Sequence, residues 1–177
     1  LKDESLNSLS RMKSEIHQKE FLSVRLLLNL FGYSDYDLSY DDFGRPILKD
    51  GYFISITHSS DYSAVAISKS PIGIDIEKMR DKIQKVAYKF IGFEANYLNE
   101  KSDFYLRNLT IIWSIKEALY KFYSKPGISL KKQLLVIPFD DENKTTAWIL
   151  DSENRLSCNA IFLEFEKYIF AIITATS

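Results

Sequence analysis

Gly73-Ile74-Asp75-Ile76-Glu77 alternates apolar and acidic residues. In an extended chain, alternate side chains share a face, so Ile74 and Ile76 enter a core while Asp75 and Glu77 project together on the other side. The pattern predicts a half-buried strand over 72–77. On its N-terminal side, Ile16, Phe21, Val24, Leu27, Leu28 and Phe31 recur near helical spacing and Gly32 follows as a stop, which predicts a helix over 14–31. A turn-rich stretch at 40–46 comes next. Short strands at 52–56 and 64–68 follow, joined by a polar loop at 57–61. On the C-terminal side the pattern predicts helices over 81–91 and 104–122, the second stopped by Ser124-Lys125-Pro126-Gly127. Strands at 134–137, 147–150, 156–165 and 168–174 read as an antiparallel meander, with a polar turn at 140–144. The order helix, strands, helices, strands predicts an α+β fold with a helix and a small sheet in each half. The halves divide ahead of the central strand, into 1–71 and 72–177.

The chain has 177 residues, 46% of them hydrophobic and 14% aromatic, enough for one full core or for two small ones sharing an interface. Charged residues make up 27% with both signs interspersed and a net charge of −1, which argues against a nucleic-acid partner. The single cysteine, Cys158, excludes an intrachain disulfide framework and a Cys-rich zinc site and fits a reducing compartment. No run approaches the ~18 apolar residues needed to span a bilayer, and charges precede any apolar run at the start, unlike a signal peptide. The expectation is a protein of the cytoplasm with no membrane contact.

Two like charges as close as Asp75 and Glu77 repel unless water or a cation separates them. Mg²⁺ favours one or two carboxylates together with substrate phosphate oxygens. A lone Asp-x-Glu is equally the solvated face of an amphipathic strand. Within Trp113-Ser114-Ile115-Lys116-Glu117-Ala118-Leu119-Tyr120-Lys121, Glu117 and Lys121 lie four apart on one helix face. They read either as a surface pair or as a further carboxylate with a lysine to hold phosphate; Trp113 reads as core packing. Arg45, on the loop Phe43-Gly44-Arg45-Pro46, is suited to grip a phosphate or stack on a base. His58 opens the polar loop after a strand, where site residues gather, whereas His17 reads as a surface residue.

Order and spacing join these elements. The chain resembles the phosphopantetheinyl transferase superfamily, which carries a G-[KR]-P loop, an [FNS]-x-[ST]-H turn, a G-[IV]-D-[IV]-E strand and a W-x-x-K-E-A-x-x-K helix. Here these are Gly44-Arg45-Pro46, Ser55-Ile56-Thr57-His58, Gly73 to Glu77 and Trp113 to Lys121. Because the G-x-D-x-E strand sits mid-chain behind a helical first half, the chain looks like the broad-specificity, surfactin-synthetase-activating type. That implies a monomeric pseudo-dimer of two similar α+β halves, each a helix packed on a small antiparallel sheet, with coenzyme A in the cleft between them. Thr57 replaces the usual serine and Ser55 the frequent asparagine. The strand expected before the first helix is missing.

The resemblance further implies transfer of 4′-phosphopantetheine from coenzyme A to a serine of an apo acyl or peptidyl carrier protein, releasing 3′,5′-ADP. It assigns Mg²⁺ (or Mn²⁺) to Asp75, Glu77 and Glu117. Glu117 is also the candidate base, directly or through a metal-bound water. Lys121 would neutralise the transferred phosphoryl group, and Lys116 would assist with the coenzyme A phosphates. Gly44, Arg45, Pro46, Ser55, Thr57 and His58 would hold coenzyme A. A basic residue near the first helix would take its 3′-phosphate: Arg11, with Lys13 and Lys19 as alternatives. Two other classes stay open, a non-catalytic coenzyme A or carrier-binding module and a metal-dependent nucleotide hydrolase.

Overall fold

The structure is a computed structural model describing residues 1–140, 142–152 and 154–176. Helix α1 (Asp3–Arg11) precedes α2 (Glu15–Leu30), whose start is set by Ser14, the side chain of which accepts from the His17 amide. A short hairpin, β1 (Leu38–Tyr40) with β2 (Pro46–Leu48), leads into a longer one, β3 (Phe53–Ser59) with β4 (Tyr62–Ser68). Then come β5 (Ile72–Lys78), α3 (Lys82–Val86), the long helix α4 (Tyr105–Tyr123) and strands β6 (Leu134–Val136), β7 (Lys144–Leu150), β8 (Arg155–Phe165) and β9 (Tyr168–Ala175). The last four form an antiparallel meander, and β5 pairs antiparallel with β9, giving the order β5-β9-β8-β7-β6. The fold is α+β.

Two apolar cores flank β5. In the C-terminal one, Leu109, Ile112, Ile115 and Leu119 of α4 pack on Val136, Ile149, Phe162 and Ile173 of the five-stranded sheet, all at most 1% exposed. In the other, Val24 and Leu28 of α2 meet Leu38, Leu48 and Ile54. Ile74 and Ile76 are buried, as the alternation requires.

The seam between the cores is unusual in its bonding. The outer edge of β5 meets β3 through side chains: the Ile74 amide donates to Ser55 Oγ (3.0 Å) and the Ile76 amide to Thr57 Oγ1 (3.1 Å). The rising pairs 55/74 and 57/76 set the two strands side by side in the same direction. Buried amides need acceptors, and here hydroxyls supply them.

Gly73 lets α4 lie on β5. A Cβ there would stand 2.0 Å from the Ala118 carbonyl oxygen and 2.8 Å from the Phe122 nitrogen, so a side chain is excluded by close approach.

The expected elements need four adjustments. Helix α1 was not foreseen. The polar loop at 57–61 shrinks to Ser60 and Asp61, because Thr57 to Ser59 continue β3 to reach β5. The helix expected over 81–91 is one short turn, Lys82–Val86, followed by a 3₁₀ turn at Ala87–Lys89. Of the turn at 140–144, Asp141 lies outside the described residues and Lys144 already belongs to β7.

Candidate active site

A cavity of about 610 Å³ opens along this seam, walled by α2, the β1–β2 loop, β3, β5 and the end of α4. Each wall delivers its residues for a local reason. In the β1–β2 loop, Gly44 takes φ 80°, a conformation that glycine adopts without strain. The Asp41 carboxylate accepts from the amides of Phe43 and Arg45, both at 2.9 Å. That turn presents Arg45, exposed, beside Pro46 at the start of β2. Along β3, Ser55 and Thr57 are buried against β5 while His58 reaches outward, its side chain half exposed.

Asp75 forms the cavity wall on β5 and is 5% exposed. Its Oδ1 accepts from Thr57 Oγ1 at 3.1 Å and from Lys121 Nζ at 2.8 Å; Lys121 also donates to the Ile74 carbonyl at 3.1 Å. Its Oδ2 is buried and has no hydrogen-bond partner among the described residues. Burial raises the Asp75 pKa against the opposing pull of Lys121 and Thr57. Glu77 accepts from Trp113 Nε1 at 3.2 Å; burial and then the charge of Asp75 push its carboxyl up. Glu117, one helical turn before Lys121, is pushed up to about 7 by burial and by repulsion from Asp75 and, more weakly, Glu77, with Lys121 pulling the other way.

These residues bear on a cation as follows. Among the described residues, no three His, Cys, Asp or Glu side chains are gathered closely enough to form a ready-made cage. Lys121 instead pairs with Asp75 Oδ1 at 2.8 Å. The donor chemistry still fits a hard divalent cation: a buried carboxylate oxygen lacks a partner among the described residues, and the neighbouring acids repel one another. Mg²⁺ takes only one or two carboxylates and fills its octahedron with phosphate oxygens and water.

Gly44, Arg45, Pro46, Ser55, Thr57, His58, Asp75 and Lys121 all line the one cavity. Glu77 and Glu117 stand beside Asp75 and Lys121, outside the lining. Arg11 ends α1, exposed, next to Met12, which does line the cavity.

Lys116 is a correction. It is 0% exposed on the core side of α4, where its ammonium donates to the carbonyls of Phe90 (2.7 Å) and Leu130 (3.0 Å) and pairs with Glu94 (2.8 Å). Glu94, equally buried, accepts in turn from the amides of Gly92 and Val136. Every proton on that ammonium is used, so Lys116 ties α4 to the segments before and after it and does not reach the cavity. Trp113 does more than pack: it lies edge-on to Phe90, 5.0 Å between ring centroids, and also holds Glu77.

Sequence reading missed Glu20 and Arg25 of α2 and Tyr120 of α4, and placed His17 merely on the surface; all four line the cavity. Glu20 pairs with His58, Nδ1 to Oε1 at 3.1 Å. Arg25 is spent on Asp35 (3.1 Å) and on the ring of Phe21. Only Arg25, a cation among the apolar positions of α2, carried a signal in the sequence.

The fold and site define an α+β protein with a cavity at the seam of two cores, one wall carrying a buried aspartate paired with a lysine. Residues 71–173, more than half of the chain, match the 4′-phosphopantetheinyl transferase superfamily, and the chain belongs to that family. It is 28% identical over 127 residues to a 4′-phosphopantetheinyl transferase of Bacillus subtilis, covering 68% of this chain and 52% of the relative. It is likewise 28% identical over 130 residues to the 4′-phosphopantetheinyl transferase Sfp of Bacillus subtilis strain 168 (68% and 55%). The transferase psf-1 of Bacillus pumilus is 25% identical over 114 residues (62% and 48%). The chain thus spans about half the length of the curated relatives it matches. No helix among the described residues is long and apolar enough to cross a membrane.

Proposed function

We propose that this chain transfers 4′-phosphopantetheine from coenzyme A to a serine of an apo acyl or peptidyl carrier protein, with release of 3′,5′-ADP. The observation that carries the reading is the meeting of Asp75, one buried oxygen of which has no partner among the described residues, and Lys121 in the wall of a cavity that Arg45 and His58 also line. Anion-binding groups at one side and a carboxylate–lysine pair at the other suit a substrate carrying several phosphates. The two cores would act as the halves of a pseudo-dimer, with coenzyme A in the seam; one chain supplies both walls, so a monomer suffices.

In this reading Arg45 and His58 bind the nucleotide end through charge-assisted hydrogen bonds. Asp75, with Glu77 and Glu117 from its flanks, would hold Mg²⁺ or Mn²⁺, which supplies charge neutralisation at the pyrophosphate. Trp113 holds Glu77 through its indole N–H. The serine oxygen of the carrier forms a bond to the β-phosphorus as the bond from that phosphorus to the ADP oxygen breaks. Glu117, directly or through a water, takes the serine proton. Lys121 is displaced from Asp75 toward the phosphoryl oxygens, where its charge is needed.

The test incubates the chain with coenzyme A, Mg²⁺ and a panel of apo carrier proteins, then weighs the carriers and assays the released nucleotide. One phosphopantetheinyl group gained per 3′,5′-ADP released is the expected result. Free phosphopantetheine with unmodified carriers would make the chain a hydrolase, and binding without products a non-catalytic module.

A further inference from the structure

The mechanism leaves one cavity carboxylate without a role. Glu20 projects from α2, its side chain 13% exposed, and meets His58 Nδ1 at 3.1 Å. A carboxylate in a cavity built for phosphate is costly unless something neutralises it. The other charged groups of the lining show what is available. Arg25 is engaged by Asp35 and Lys121 by Asp75, Arg45 lies on the β1–β2 loop, and His17 stands one turn before Glu20 on α2. Glu20 pairs with His58.

The ring geometry then matters. A histidine nitrogen held by a carboxylate must carry hydrogen, and that bond fixes how the ring faces. With Nδ1 turned to Glu20, Nε2 is the nitrogen left to a ligand. An Nδ1–H ring in its neutral form would offer a phosphate only a lone pair. A ring placed between a carboxylate and a phosphate satisfies both only by donating from both nitrogens.

We infer that Glu20 is a positioning residue for coenzyme A binding: it holds His58 by Nδ1, so that Nε2–H is delivered to a coenzyme A phosphate. The inference rests on the functional reading above only in taking coenzyme A as the ligand. It needs neither a metal nor a carrier protein.

The test measures coenzyme A affinity by calorimetry for the unaltered chain, Glu20→Gln and Glu20→Asp, and follows ¹⁵N resonances of the His58 ring with and without coenzyme A. Glu20→Gln is expected to weaken binding about tenfold, the lower end of what removing a carboxylate behind a histidine costs at metal sites. Glu20→Asp should recover most of the loss. In the unaltered complex both ring nitrogens should read as protonated, and in Glu20→Gln one should not. A loss of affinity with unchanged ring resonances would make Glu20 merely structural and overturn the inference. So would equal or tighter binding by Glu20→Gln, the mark of a carboxylate that only repels the ligand. No coenzyme A binding by the unaltered chain overturns the functional reading and this inference together; binding that ignores Glu20→Gln overturns this inference alone.

Discussion

Glu117→Gln should make the metal-free protein more stable near neutral pH while abolishing transfer. The carboxyl is raised from 4.5 to about 7 in the fold by burial and by Asp75. Below the lower value both folded and unfolded chains hold the proton, and the group is neutral to stability. Between the two values the folded chain keeps a proton that the unfolded chain has shed, so stability falls as pH rises, and above about 7 the loss is complete. At ~1.4 kcal/mol per unit, the loss from this one group comes to about 3 kcal/mol. Glutamine keeps the shape without the titration. The difference in unfolding free energy, variant minus wild type, should therefore grow from near zero at about pH 4.5 to about 3 kcal/mol in the variant's favour near pH 8. Urea unfolding in EDTA across that range measures it directly. Added Mg²⁺ should stabilise the wild type at the alkaline end and have less effect on the variant, since a ligand favours the state that binds it. A variant no more stable than wild type near pH 8 would refute the crowding of Glu117 with Asp75 and Glu77.

Lys116→Met strands Glu94 as a buried charge and should destabilise the fold by about 3–5 kcal/mol; urea unfolding that matches wild type would return Lys116 to the list of ligand-binding candidates. Gly73→Ala drives a methyl into the Ala118 carbonyl and the Phe122 backbone and should cost about 1–3 kcal/mol in thermal or urea unfolding, whereas an unchanged melt would mean that α4 does not lie so close to β5. Arg45→Ala should weaken coenzyme A binding by ~1–3 kcal/mol, the scale of a lost charged hydrogen bond, with no change in the melting temperature because the side chain is exposed; calorimetry checks both the loss and its absence.

Much of this was legible because periodicity reports burial. The alternation of Ile74 and Ile76 with Asp75 and Glu77 placed a strand at the seam. The apolar positions of α2 and α4 marked their core faces. What stayed hidden depended on partners distant in sequence. Thr57 to Ser59 look like loop because they are polar: the Thr57 hydroxyl meets the edge of β5 and the His58 ring meets α2, neither of them a hydrophobic core. Glu20 gained its meaning only when His58, on β3, came to lie against α2. Lys116 was decidable in principle: at the spacing of Ile112, Ile115 and Leu119 it shares their buried face, not that of Glu117 and Lys121. A lysine on that face requires a buried acceptor, but nothing in the pattern around Glu94 announced that it was one. The motif resemblance pulled Lys116 toward the ligand because motifs record which residues recur, not which way they point. Helix α1 escaped because it buries only Ser5, through a bond to Asp35, and so lacks an apolar stripe wide enough to read.

The central claim is that Asp75 belongs to a site that modifies carrier proteins, rather than to a structural seam alone. The most direct measurement is the intact mass of an apo carrier protein after incubation with coenzyme A and Mg²⁺, run in parallel with the wild-type chain and with Asp75→Ala shown to be folded by its thermal transition. The carrier should gain the mass of one phosphopantetheinyl group with the wild type, and at least ~10²-fold more slowly with the variant. Equal loading by the folded variant, or loading by the wild type that persists in thorough EDTA chelation, would contradict the account.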